Sequence, residues 1–303
     1  MDLTVRIGKI EMKNPVTVAS GTFGYGREYS GVVDVSRLGA ITVKGIRADA
    51  CMGNPTPRIA EVRGGMLNAI GLQGPGVKVF VEEYMPFLRG LNIPVIVNIW
   101  GTDVDGYAET ASMLDGVDGV HGLELNVSCP NVKHGGASFG GDPVLMSSVI
   151  SAVRKKTSLT LITKLAPNVP DIKIFARAAM DAGSDALSVS NTLPAMAIDI
   201  AKRRPILANV TGGLSGTALH PVAVKLVWDA RSAVDIPIIG MGGIMEPEDA
   251  IEFLAAGASA VAVGTANFID PTTPIRVIDG IGEYMKLHNM KTVSEIAIRK
   301  RHV

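Results

Sequence analysis

The stretch GLELNVSCPN, residues 122–131, joins an apolar run to a reactive end. Leu123, Leu125 and Val127 suit a packed strand, and Asn126, Ser128, Cys129, Pro130 and Asn131 follow at once. A thiol flanked by amides, where a proline stops the strand, is either a small core residue or a base mounted on that strand. To serve as a base Cys129 needs an accessible thiolate. The glycine-rich segment after it, PNVKHGGASFGGD, has the composition of a lid. The same placement recurs along the chain. Ser20 with Gly21, Lys44 with Gly45, Asn98, Lys164, Asn191 with Thr192, Gly242 with Gly243, and Gly264 with Thr265 each close an apolar run. Singly, such a lysine snorkels to solvent, such an asparagine satisfies a turn, and a lone cysteine is packing. Together they describe a ring of polar groups facing one ligand.

Two kinds of chemistry divide this ring. GMGGI and VGTA offer Gly242, Gly243, Gly264 and Thr265, and GGLSGTA adds Gly216. Glycine lets phosphate oxygens approach backbone N–H groups, helped by a helix N-terminus. Gly-x-Gly-Gly near the end of the chain is not a dinucleotide fingerprint, which needs another spacing at a first βα turn. The lysines and amides of the other half suit a conjugated, electron-accepting heterocycle. Histidines 121, 134, 220, 288 and 302 are scattered, without metal-type spacing.

The elements that must position these groups are eight short β-rich runs, at 15–21, 40–45, 94–100, 122–129, 159–165, 186–192, 236–243 and 260–266. Most are nearly all apolar, as in strands buried on both faces of a parallel sheet. Helical patterns lie between them: DPVLMSSVISAVRKKT opens on an Asp-Pro cap, and DIKIFARAAMDAG and EPEDAIEFLAAG end at glycine. Alternation of this kind predicts an α/β fold, a (β/α)8 TIM barrel, whose active sites gather at the strand C-terminal ends. Residues 1–13 predict a β-hairpin at its foot, turning near Gly8-Lys9. Segments 46–80 and 193–216 are long, rich in Gly, Pro and Asn, and read as excursions on the strand C-terminal side. The tail KTVSEIAIRKRHV predicts a last helix with a basic, solvated end, and no second domain is expected within residues 1–303.

Composition excludes several classes. The 29 Lys and Arg balance 29 Asp and Glu, so no basic surplus points to nucleic acid or an acidic membrane. Two cysteines in 303 residues, Cys51 and Cys129, build no disulfide framework, and a reducing, cytoplasmic setting is expected. Neither a signal peptide nor a run of roughly 18 apolar residues is evident.

At this point TVKGI, GNPTPRI, MLNAIGLQGPG, NVSCPNVKHGG, TKLAPN, SNT, GMGGI and VGTA, in this order, closely resemble class 1 dihydroorotate dehydrogenases over about residues 3–285. More narrowly they resemble the catalytic subunit of the NAD-linked class 1B. The resemblance implies an FMN-binding barrel that oxidises (S)-dihydroorotate to orotate in pyrimidine synthesis. Cys129 would take the C5 proton while the C6 hydride passes to the flavin, with Lys44 between flavin and substrate. Asn68, with Ala69, Ile70, Gly71 and Leu72, would grip the substrate, and Asn126, Asn191 and Thr192 would hold its pyrimidine edge. Ser20, Lys44, Gly45, Asn98, Asn126 and Lys164 would contact the flavin, Lys164 stabilising its reduced anionic ring. Ser190, where some relatives carry an aliphatic residue, would contact it through backbone. Gly216, Gly242, Gly243, Gly264 and Thr265 would receive the phosphate. A cysteine at the base position argues against the quinone-using class 2, which places serine there.

The resemblance also implies a partner subunit carrying FAD and a [2Fe–2S] cluster, and pairing of catalytic chains within a heterotetramer. This chain lacks the cysteines for such a cluster. Three other readings stay open here. One is the fumarate-using class 1A homodimer, against which VKHGG and GNPTPRI speak. Another is a phosphate-binding barrel aldolase or isomerase with Lys164 as a Schiff base. The third is a barrel that only binds a metabolite.

Overall fold

The structure, a computed structural model, describes residues 1–128, 130–131 and 137–298. The chain opens with an antiparallel hairpin, β1 (Val5–Ile7) and β2 (Ile10–Met12), turning at Gly8 and Lys9 as the sequence predicts. β3 (Val16–Val18) and β4 (Ile41–Ile46) start the barrel, β5 (Ile59–Val62) and β6 (Gly65–Asn68) leave it, and β7 (Val95–Ile99) and β8 (Val120–Asn126) rejoin it. A short ladder of β9 (Pro130–Asn131) with β10 (Ala137–Ser138) follows. β11 (Thr160–Leu165) and β12 (Ala186–Val189) continue the barrel. The chain then departs through β13 (Leu193–Ala195), β14 (Ile198–Asp199), β15 (Arg204–Pro205) and β16 (Gly212–Ser215). β17 (Ile238–Gly240) and β18 (Ala260–Val263) complete an eight-stranded sheet in the order β3-β18-β17-β12-β11-β8-β7-β4, its ladders all parallel. All eight predicted barrel strands are present. At the seam, β3 and β4 meet through the Thr17 and Thr42 hydroxyls, 3.3 Å apart.

The strands form where both faces can be buried: every residue of β11, β12 and β18 is buried. Their outer faces pack against α1 (Val77–Val79), α2 (Met85–Gly90), α3 (Val104–Leu114), α4 (Pro143–Arg154), α5 (Ile172–Asp181), α6 (His220–Arg231), α7 (Pro247–Ala255) and α8 (Thr273–Leu287). The Asp-Pro cap read from sequence is in place, and Asp171 adds a second. Asp142 accepts from the N–H groups of Val144 and Leu145, and Asp171 from that of Lys173, satisfying donors left open at each helix start. The first βα unit departs from the pattern. After β3 the described chain makes only two 3-10 turns, Arg27–Tyr29 and Val35–Arg37, because Gly21, Gly24 and Gly26 all take positive φ and break a helix before it starts. The tail also differs from expectation. It makes one 3-10 turn, Val293–Ile296, closed by a Thr292–Glu295 capping box, and residues 299–303 lie outside the described part.

The hairpin plugs the barrel's foot. Ile7, Ile10 and Met12 pack with Ile96, Ile162, Ala186, Ile239 and Ala260 from the strands. At the other end the two excursions meet. β5, β6, β16 and β13 form a four-stranded antiparallel sheet, with Leu67 opposite Leu214 and Ala60, and a small core of Leu67, Ala69 and Leu207. This sheet roofs the strand C-terminal ends. Among the described residues no helix is long and apolar enough to cross a membrane.

Candidate active site

Between the roof and the barrel lies a cavity of about 560 Å³. Its size falls within the several hundred cubic ångströms usual for small-molecule sites. The ends of β3, β4, β7, β8, β11, β12, β17 and β18 bring to it Ser20, Lys44, Gly45, Asn98, Asn126, Lys164, Ser190, Asn191, Thr192, Gly242, Gly243, Gly264 and Thr265. The roof brings Asn68, the following Ala69, Ile70, Gly71 and Leu72, and Gly216. Every site residue named from sequence and described in the structure thus lines one space. Cys129, the sequence-predicted base, and residues 132–136 of the expected lid lie outside the described residues.

The amides form a directed network. Thr192 N–H donates to Asn191 Oδ1 at 2.8 Å, which turns the Asn191 amide nitrogen toward Asn126 Oδ1 at 3.0 Å and Ser128 Oγ at 2.9 Å. The Asn126 backbone carbonyl is held from behind by Tyr107 Oη at 2.6 Å. Asn126, its oxygen engaged in this way, lines the cavity. Gly45 permits a close approach nearby, since a Cβ there would stand 2.6 Å from Asn98 Oδ1. Ser190 donates its hydroxyl to the Asn191 carbonyl at 3.1 Å and its backbone N–H to the Met241 carbonyl at 3.2 Å.

At the far end Gly242 and Gly243 take φ +141 and +68, backbone that side chains rarely adopt. A Cβ on Gly243 would meet Gly216 O and His220 Cβ, each at 2.8 Å. Thr265 Oγ1 donates to Ser215 Oγ at 2.8 Å. Three glycine-bearing loops therefore converge beside the start of α6, an arrangement suited to phosphate oxygens.

Charge is one-sided. The described lining holds three cations, Lys44, Arg58 and Lys164, and no carboxylate. Burial, reinforced by the nearby Arg58 guanidinium, holds the Lys44 ammonium pKa below the usual lysine value of 10.5, while Glu28 opposes that shift. Arg58 is fixed by Gln73 Oε1 at 2.8 Å and the Ile70 carbonyl at 3.4 Å, which places it beside the segment Ala69–Leu72. Beneath the lining, Glu124 is buried and accepts from Asn98 Nδ2 at 2.6 Å, Ser188 Oγ at 2.7 Å and Ser20 Oγ at 3.1 Å, with Lys164 Nζ at 3.7 Å. Sequence reading assigned no role to Glu124, Arg58, Ser128 or Gln73. Glu124 did carry a signal, a carboxylate inside an apolar strand, and Arg58 lies in the quoted GNPTPRI. Cys51 is not part of the lining but stands behind it, its thiol toward the Gly71 carbonyl at 3.6 Å.

The comparisons with known proteins agree with this geometry. A family model described as dihydroorotate dehydrogenase matches residues 2–285. Relatives named "Dihydroorotate dehydrogenase B (NAD(+)), catalytic subunit" include one from Alkaliphilus metalliredigens (strain QYMF), 55% identical over 296 residues and 98% of each chain. Those from Geobacter sp. (strain M21) and Bacteroides thetaiotaomicron are 52% and 51% identical over 295 residues, 97% of each chain. With a match of this extent and relatives this similar along their whole length, the chain belongs to the dihydroorotate dehydrogenase family.

Proposed function

We propose that this chain is the catalytic subunit of an NAD-linked dihydroorotate dehydrogenase, a single FMN-binding barrel that oxidises (S)-dihydroorotate to orotate in pyrimidine synthesis. The observation that carries the reading is the convergence of amides, cations and glycine loops from eight strand ends and the roof on one cavity. The donor set fits FMN. Gly216, Gly242, Gly243, Gly264 and Thr265 would hold the phosphate, while Ser20, Gly45, Asn98, Lys164 and the Ser190 backbone would hold the ring. FMN, when bound, supplies the acceptor for the hydride that leaves C6 of the substrate.

The chain's own residues do the rest. Dihydroorotate is an anion, and Lys44 and Arg58 supply countercharge where Asn68 and Ala69–Leu72 would grip it. Asn126, Asn191 and Thr192 orient its ring, because their amides are locked against one another and lose little freedom on binding. Cys129 Sγ takes the C5 proton, and the electron pair of that C–H bond becomes the new C5–C6 double bond. The roof excludes water from the reacting atoms. A partner subunit with FAD and a [2Fe–2S] cluster would relay the electrons to NAD⁺, two catalytic chains pairing in a heterotetramer in the cytoplasm.

The visible spectrum of the purified chain, before and after anaerobic dihydroorotate, tests the reading. A yellow protein bleached by dihydroorotate, releasing FMN on heating, is the expected result. A colourless chain that takes up no FMN on reconstitution, or one that yields FAD alone, would overturn it.

A further inference from the structure

Glu124 has no part in the roles assigned above. It stands two residues before Asn126 on β8, so both side chains point to the same side of the sheet. It is 2% exposed, and both carboxylate oxygens are engaged: Oε1 by Asn98 and Ser20, Oε2 by Ser188. Asn98, Ser20 and Lys164 line the cavity, whereas Glu124 and Ser188 do not. A buried carboxylate is expensive unless paired and hydrogen-bonded. Tying strands together would not need the charge, since a glutamine has the same shape and an acceptor oxygen. What only a carboxylate offers is compensation for Lys164, whose side chain is 7% exposed. The other lining cations, Lys44 and Arg58, have no such buried anion beneath them among the described residues.

We infer that Glu124 is a positioning residue that pins the Lys164 ammonium group at the cavity floor and cancels its charge, so that the cofactor end of the site is locally neutral while the substrate end stays cationic. This rests on the FMN reading above. Lys164 then serves as a hydrogen-bond donor without a net charge behind it, and the site does not hold reduced FMN, the more negative form, far more tightly than the oxidised form. That balance keeps the electrons available to the next acceptor.

The test measures dissociation constants of the chain for oxidised FMN and, under anaerobic dithionite, for reduced FMN. Removing one charge a few ångströms from the ligand shifts such a ratio by about tenfold. Glu124→Gln should therefore favour reduced FMN by about tenfold at pH 6 relative to the parent. Glu124→Asp keeps the charge and should hold the parental ratio even where overall affinity falls. Should Glu124→Gln fail to fold, a second comparison decides the matter. Lys164→Gln, which leaves the carboxylate alone, should disfavour reduced FMN. The double variant Lys164→Gln/Glu124→Gln, with both charges gone, should return to the parental ratio. Equal ratios in Lys164→Gln and the double variant, in a chain whose parent binds FMN, would overturn the role of Glu124 and leave the cofactor reading intact. A parent that binds FMN in neither state would overturn both.

Discussion

Cys129 and Lys44 carry the two residue-scale expectations. Cys129→Ala should leave FMN bound but slow anaerobic flavin reduction by dihydroorotate by ~10²–10⁴-fold, the usual worth of a general base. Stopped-flow absorbance reads this directly, with Cys51→Ala as a nearly silent control because that thiol stands outside the cavity. A parental rate in Cys129→Ala would remove it from the mechanism. For Lys44 the sign follows from its surroundings. Burial and the Arg58 guanidinium hold its pKa below 10.5, so its positive charge is lost sooner than in an exposed lysine as pH rises. The kcat/KM profile for the anionic substrate should fall on an alkaline limb with a midpoint below 10.5, and Lys44→Arg should abolish that limb, arginine staying charged. Much of this site is legible in the sequence, because Lys44, Asn98, Asn126, Lys164 and Asn191 each interrupt or end an apolar run. Glu124 also interrupts an apolar run, but its role is not legible, since its partners Ser20, Asn98, Lys164 and Ser188 come from four other strand positions that only barrel closure brings together.

Among the elements, the loop after β17 is the most exacting. Gly243 takes φ +68, and a Cβ there would stand 2.8 Å from Gly216 O and His220 Cβ, so Gly243→Ala strains the backbone and pushes two loops apart. FMN affinity should drop about tenfold, the penalty of about a kilocalorie or more for a side chain at such a φ, while the far-ultraviolet spectrum stays parental. Fluorescence titration of FMN checks it. The barrel strands and helix caps were readable because burial on both faces and an Asp-Pro start leave direct marks in the sequence. The roof was read only as two excursions. Its strands are three or four residues long, and GMLN and GGLS carry neither alternation nor β-branched residues, so their pairing with distant partners makes them strands. The missing first helix is the converse case: three glycines at positive φ override the expected alternation.

The whole molecule is expected to work with a partner. With dihydroorotate, the isolated chain should reduce an artificial dye and leave NAD⁺ untouched, because its sequence holds neither a dinucleotide fingerprint nor ligands for an iron–sulfur cluster. Steady-state assays with NAD⁺, fumarate and dye side by side decide this: rapid NAD⁺ reduction removes the need for a partner, and rapid fumarate reduction indicates the class 1A reaction. The roof has one more consequence, in the order of events as the chain folds. β6 and β16 belong to arms separated by nearly half the sequence, and closing so long a loop costs entropy before the pairing of Leu67 with Leu214 repays it. Apart from the closing pair of β18 with β3, the barrel's ladders join βα units that follow one another and span shorter loops, so they are expected to form earlier. During refolding, the return of the helical signal should therefore precede the recovery of FMN binding, and stopped-flow traces of the two should separate in time. A nascent chain would pass through a stage in which its scaffold is built and its ligand has nowhere to stay.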